Sequence, residues 1–224
     1  MSVILNIDTA VQSASVCLAD DDKVLSTAVS PTEKESASWL HVAVQNILQE
    51  NGVRPSQLGA IAVSAGPGSY TGLRVGMAAA KGLCYALQLP LITVNTLQMM
   101  AAAVTEPTTN LLCPMIDARR MEVFTALYNQ SLQEVSPSIN LILDESSFAE
   151  WLQQNTISFF GNGSIKAATV IQHTNASFIS VTAGAANMVL LSAKKFFLRE
   201  FADLAYSEPY YGKDFHSPIS KKFY

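Results

Sequence analysis

Four glycines fall within eleven residues in Gly66-Pro67-Gly68-Ser69-Tyr70-Thr71-Gly72-Leu73-Arg74-Val75-Gly76, between two apolar runs. A strand-to-helix turn of this kind can hold a phosphate on its backbone N–H groups. The spacing fits neither established loop. The third glycine of a G-x-G-x-x-G turn comes one residue late, Pro67 has no N–H to donate, and no Gly-Lys-Ser/Thr follows. Asp8 and Asp117 each end an apolar run and are able to accept backbone N–H groups at strand ends. Losing either charge is expected to cost about 1.5–3 kcal/mol. His41, His173 and His216 are scattered, and no Ser-His-Asp or G-x-S-x-G pattern appears. Arg119 and Arg120 read equally well as a cleft-facing pair and as a solvated turn, and Phe160-Gly161-Asn162-Gly163-Ser164 is a second strand-to-helix turn with Ser164 as its expected N-cap.

The composition limits what such residues can do. Hydrophobic types make up 49% of the 224 residues and charged types 14%, so the chain folds and has more apolar surface than usual to cover, which a partner could do. A formal net charge of −4 suits it poorly to gripping phosphodiesters alone. Three cysteines, Cys17, Cys84 and Cys113, lie far apart with no C-x-x-C, which argues against a disulfide framework or zinc ribbon and fits a reducing compartment. The opening residues carry no signal-peptide pattern, and Lys81 and Pro90 break the most apolar run, so a cytoplasmic location is expected.

The elements that position these residues follow from periodicity. Val3 to Ile7, Ala14 to Ala19 and Val24 to Val29 read as a three-strand meander. Thr32 and Glu35 have capping-box spacing ahead of an apolar stripe at Leu40, Val44, Ile47 and Leu48, a helix that Asn51-Gly52 ends. A strand over Ala60 to Ala65, a helix over Thr71 to Leu87, a strand over Leu91 to Val94 and a helix over Thr96 to Val104 complete a first half, residues 1–105. After polar Glu106 to Asn110 the pattern restarts. Strands are expected at Leu111 to Ile116, Glu122 to Tyr128, Ser136 to Leu143 and Ile157 to Phe160, with helices at Ser146 to Gln154 and Ala185 to Phe201. Residues 106–224 thus form a second βββαβα-type half, and a cleft is expected between the two.

The helix behind the glycine turn has two small or apolar faces. Gly72, Gly76 and Ala79 share one, and Leu73, Met77, Ala80, Cys84 and Leu87 share the other. A smooth face permits close approach of another helix, either a partner's or the preceding helix of this chain.

The string GPGSYTGLRVG after IAVSA, the opening ILNIDTA, and the ITVNTL and MIDARRMEV segments, in that order and spacing, resemble the TsaB (YeaZ) family over nearly the whole chain. The resemblance implies the ASKHA fold, an α/β duplication of two actin-like, ribonuclease H-like halves. It also implies a non-catalytic subunit of the bacterial machinery that makes N6-threonylcarbamoyladenosine in tRNA. Its implied partners are a TsaD-type catalytic paralogue, a TsaE-type small ATPase and, through the complex, tRNA; alone, a homodimer is expected. The implied partner surface is Gly68, Tyr70, Thr71, Gly72, Arg74, Val75, Gly76 and Ala79; at nearby Lys34, on the polar start of the preceding helix, a charge reversal is expected to have only a mild effect. A charge placed at Gly76 is expected to break the contact and spare the fold.

ASKHA kinases hold phosphates on Asp-x-Gly turns, where bare glycine backbone meets the anion. Asp8-Thr9-Ala10 and Asp117-Ala118-Arg119 lack that glycine, and Met121 stands where related sequences carry one. Asp8, Thr9, Asp117 and Arg119 are therefore expected to line a vestigial nucleotide cleft, with weak ATP or ADP binding at the joint of the complex and no intrinsic cofactor. The metal-binding His-x-x-x-His pair of the catalytic paralogues falls at Thr96 and Met100, so no metal site is expected. An ASKHA ATPase or small-molecule kinase and a glycoprotease-like metallopeptidase are the rival readings. The tail from Ser207 to Tyr224 departs from the family's usual ending after Pro209-Tyr210.

Overall fold

A computed structural model describes residues 2–32 and 36–212, with the backbone alone for Ser36. Lys34, Glu35 of the expected capping box, and the tail from Lys213, including His216 and Pro218, lie outside the described residues.

The first half is a five-stranded sheet of order β3-β2-β1-β4-β5. Its strands are β1 Val3–Asp8, β2 Ser15–Asp20, β3 Lys23–Val29, β4 Leu58–Ser64 and β5 Leu91–Val94. β1 to β3 form the antiparallel meander, while β4 and β5 add in parallel, each needing a helical crossover. Helix α1, Ser36–Glu50, and helix α2, Tyr70–Leu87, supply those crossovers. Period-two alternation decides which side each strand residue takes: Leu5, Ile7, Val16 and Leu18 face α1 and α2, whereas Ile4 faces the opposite layer. Leu40, Val44, Ile47 and Leu48 of α1 are all buried against that sheet, and Gly52 at φ +65° turns the chain after the helix.

The second half repeats the plan, with order β8-β7-β6-β9-β10. Its strands are β6 Leu111–Asp117, β7 Glu122–Asn129, β8 Glu134–Ile142, β9 Ile157–Phe160 and β10 Ala176–Phe178. Again the first three are antiparallel and the last two parallel. This is the expected duplicated βββαβα arrangement. Between the sheets lies α3, Thr96–Ala101, whose Leu97, Met99 and Met100 join Ile4 and Val94 of one sheet to Leu112 and Phe124 of the other in a shared core.

Several ends differ from expectation, for local reasons. The helix expected from Ser146 begins at Ala149 as α4, Ala149–Gln154, because the Asp144 carboxylate accepts from the Ser146 N–H and from both serine hydroxyls, holding a turn instead. Phe148 then adopts φ +64° and sets its ring edge-on to Phe159. Short helix α5, Ser164–Ala167, is capped by Gly163 and not Ser164, whose Oγ donates back to the Gly161 carbonyl at 2.8 Å. The expected Ala185 to Phe201 helix is a 3-10 turn, Ala185–Met188, followed by α6, Val189–Leu198, which Arg199 ends at φ +57°. The Thr96 helix stops at Ala101, short of Val104.

The division at residue 105 separates the sheets but not the packing. After β10 the chain returns to the first half: the Ser15 Oγ accepts from the Ala185 N–H at 2.9 Å, Ser192 Oγ donates to buried Asn6 at 2.6 Å, and Lys195 donates to the Thr93 carbonyl. Among the described residues no helix is long and apolar enough to cross a membrane.

Candidate functional site

The two aspartates end β1 and β6, corresponding strands of the two halves, and make the same turn. Asp8 Oδ1 accepts from the Ala10 N–H at 3.0 Å, and Asp117 Oδ1 from the Arg119 N–H at 2.6 Å, as strand-end acceptors do. Their electrostatics are opposite. Asp8 is fully buried, Ser64 Oγ donates to its Oδ1 at 2.6 Å, and its Oδ2 has no hydrogen-bond partner. Burial pushes its pKa up to about 6, against the pull of Ser64 and the Ala10 N–H. Asp117 is exposed, and the hydrogen bond from Lys166 at 2.9 Å holds its carboxyl below the usual range.

Between the halves opens a cleft of about 910 Å³ lined by Thr9, Asp117 and Arg119 among others, whereas Asp8 is fully buried and does not line it. Gly68, Tyr70, Thr71 and Gly72 line the same cleft, so the glycine turn opens onto it while the helix continues away. Arg119 and Arg120 sit at φ +70° and +49°, a left-handed conformation that costs about 1–2 kcal/mol per residue. Lys166 Nζ, donating to the Arg120 carbonyl at 2.7 Å, and the Ala118 to Glu122 backbone bond hold them there. Arg119 faces the cleft and Arg120 faces solvent, so they do not act as one pair. Asn162 of the second glycine turn accepts from the Asp117 N–H at 2.8 Å.

The glycine turn is held from within. Ser69 Oγ caps α2 by accepting from the Gly72 N–H, and Thr96 Oγ1 accepts from the Gly66 N–H at 3.0 Å. Thr96 therefore supports the turn, while Met100, four residues on, is buried between the sheets. The Gly66-Pro67 peptide is cis. A Cβ on Gly72 would collide with the Thr9 carbonyl oxygen and one on Gly76 with Thr9 Oγ1, which itself donates to the Gly72 carbonyl at 2.7 Å.

This corrects the expected face. Gly72 and Gly76 are buried and admit the β1–β2 turn of their own chain, neither a partner helix nor α1, and Ala79 is buried beside α1. The outward face of α2 is instead Thr71, Val75, Ala78, Gly82 and Tyr85, with Tyr70 and Arg74 beside it. Val75, Ala78 and Gly82 line a groove of about 400 Å³ against Ala37 and His41 of α1. A Cβ on Gly82 would meet nothing within 4 Å, so internal packing does not account for that glycine. Tyr85 is 75% exposed and Val42 of α1 55% exposed. The signal was in the sequence: residues 71, 75, 78, 82 and 85 keep helical spacing.

His173 Nδ1 accepts from the Asn175 N–H, an ordinary local role. The three cysteines are free and buried, with burial raising all three thiols, Cys84 to about 11 and Cys113 to about 12. Among the described residues no group of three or more His, Cys, Asp and Glu is placed to hold a metal ion.

Residues 24–213 match the family profile of TsaD, tRNA N6-adenosine threonylcarbamoyltransferase. The chain is 35% identical over 153 residues to the tRNA threonylcarbamoyladenosine biosynthesis protein TsaB of Bacillus subtilis, a match covering 67% of this chain and 64% of that protein. To TsaB of Escherichia coli it is 37% identical over 128 residues, 57% of this chain and 55% of the relative. It therefore spans less than two thirds of the length of both relatives. The solved structure of YeaZ from Pseudomonas aeruginosa superposes with a TM-score of 0.81 at 26% identity, covering 94% of this chain and all of that one.

Proposed function

Because the chain belongs to the TsaB/YeaZ family, within the wider TsaD-type family, we propose that it is a non-catalytic scaffold subunit of the machinery that makes N6-threonylcarbamoyladenosine in tRNA. In this reading it works in the cytoplasm and binds a TsaD-type catalytic paralogue through the outward face of α2 with α1. The partner brings the metal and the transfer chemistry, tRNA is reached through the complex, and a TsaE-type ATPase joins it. Without a partner the same face pairs two copies.

The observation that carries this reading is the stripe Thr71, Val75, Ala78, Gly82, Tyr85. A mid-helix glycine sacrifices about 0.8–1.0 kcal/mol of helix propensity. At Gly72 and Gly76 internal contacts with Thr9 offset that cost, but at Gly82 the space is open. A second backbone lying across Gly82 supplies the missing contact, and Tyr85 and Val42 give it apolar flanks. The cleft then lies beside the joint, where ATP or ADP binds weakly.

The test is an affinity capture from the native cytosol with the full chain as bait. Retention of a paralogue bearing His-x-x-x-His, together with a small ATPase, supports the reading, and loss of both sinks it. One observation favours a second reading, an ATPase: buried Asp8, with a pKa of about 6 and one unpartnered oxygen, resembles a poised base. Steady-state ATP turnover by the purified chain that vanishes in Asp8→Asn would establish it. The scaffold reading expects negligible turnover in both.

A further inference from the structure

The segment after α6 plays no part in the reading above, yet it crosses the site. Ala202 forms an antiparallel bridge with Leu91, and Lys81 of α2 donates through Nζ to the carbonyls of Ala205 at 3.1 Å and Ser207 at 3.0 Å. The Tyr210 N–H donates to the Ala65 carbonyl at 2.7 Å, and the Tyr210 carbonyl oxygen fills the place a Cβ on Gly66 would need. The chain then leaves the first half. The Tyr211 ring lies on Tyr70, centroids 4.9 Å apart, and lines the cleft, and Gly212 sits so tightly on the Phe124 ring of β7 that a Cβ there would come within 2.5 Å of it. Three residues span the mouth of the cleft from one half to the other.

We propose that residues 202–212 are a strap that latches the cleft mouth and couples it to the exposed start of α2. The inference goes beyond the partner reading and stands on this chain's own contacts, whichever protein meets α2. The strap's two ends are unequal. Among the described residues, Lys81 and the Tyr210 to Ala65 bond anchor it to the first half, whereas the far end rests on ring contacts, Tyr211 on Tyr70 and Gly212 on Phe124. Tyr70 is shared, being both the latch seat and the first residue of α2, with Arg74 Nη1 donating to its hydroxyl at 3.1 Å. A ligand that takes the Tyr70 ring therefore releases Tyr211 and loosens the mouth. By linkage, whatever parts the lips changes how Tyr70 is presented.

Hydrogen exchange on the full chain, without any partner, tests the latch and leaves the partner reading untouched. Tyr211→Ala is expected to speed exchange about tenfold on both lips, residues 68–73 and 117–124, while β4 and β9 keep wild-type protection. Tyr211→Phe keeps the ring and so keeps wild-type rates. Tyr70→Ala, at a half-exposed position, reproduces the Tyr211→Ala pattern, and the double variant adds nothing further. Unchanged exchange on the 117–124 lip in Tyr70→Ala, or faster exchange confined to residues 203–212 in Tyr211→Ala, overturns the proposal.

Discussion

Asp8 and Asp117 show how little a shared turn says about shared energetics. Asp8 is raised by burial from 3.8 to about 6, so the folded state holds its proton more tightly than the unfolded chain does. Stability from this group is therefore greatest at low pH, falls as the pH rises from about 4 to about 6, and stays low above. Asp8→Asn should then stabilise the protein at pH 7 by about 1–3 kcal/mol, with the gain gone below about pH 4, read as melting temperature against pH. A stabilising Asn reverses the cost expected from the sequence, where the depth of burial could not be seen. Asp117 has the opposite sign: its lowered pKa contributes stability above the unfolded value, lost as the pH falls through the folded one. Its carboxylate is exposed, so Asp117→Asn should cost only about 0–1 kcal/mol, and a larger loss in the same melting series would contradict the surface reading. Both turns were foreseeable because an aspartate ending an apolar run is a common turn acceptor.

Along α2, three glycines that look alike in sequence divide by what surrounds them. Gly82→Ala fills open space and adds helix propensity, so chemical denaturation should show a gain of about 0.5–1 kcal/mol. Gly72→Ala and Gly76→Ala press a methyl into Thr9, and each should cost about 1–3 kcal/mol or more. The same assay that ranks Gly76→Ala level with Gly82→Ala would show that the inward contact does not matter. The strands, their meander and the presence of α1 and α2 were readable because hydrophobic period is a local signal. The facing of Gly72 and Gly76 was not, because the group that fills their space, Thr9, is more than sixty residues away and belongs to a loop whose path only the folded sheet sets. Asp144, which consumes the first turn of an expected helix, belongs to the same class of miss: side-chain hydrogen bonds compete with propensity.

For the whole chain, duplication was legible as a repeated strand and helix rhythm, with the break at Glu106 to Asn110. What periodicity could not give was the return of the last segment to the first sheet. Asn6 is fully buried and its side-chain Oδ1 accepts from Ser192 Oγ, so the opposite face of that sheet is complete only when residues from beyond 180 cover it. Expressed alone, residues 1–105 should therefore expose that face and fail to give a cooperative melt, whereas 1–212 should melt as one unit. Two halves that fold as one body leave α1 and α2 as a rigid outer face, and the strongest test of its role is the affinity of Gly82→Arg for a TsaD-type transferase, measured by calorimetry beside wild type and Gly76→Arg. An unpaired charge in a closed helix contact costs several kcal/mol, so Gly82→Arg should melt like wild type and bind at least about a hundredfold more weakly. Gly76→Arg should instead lose its fold before any partner is added. A folded Gly82→Arg that binds the transferase at wild-type affinity would contradict this account of the face.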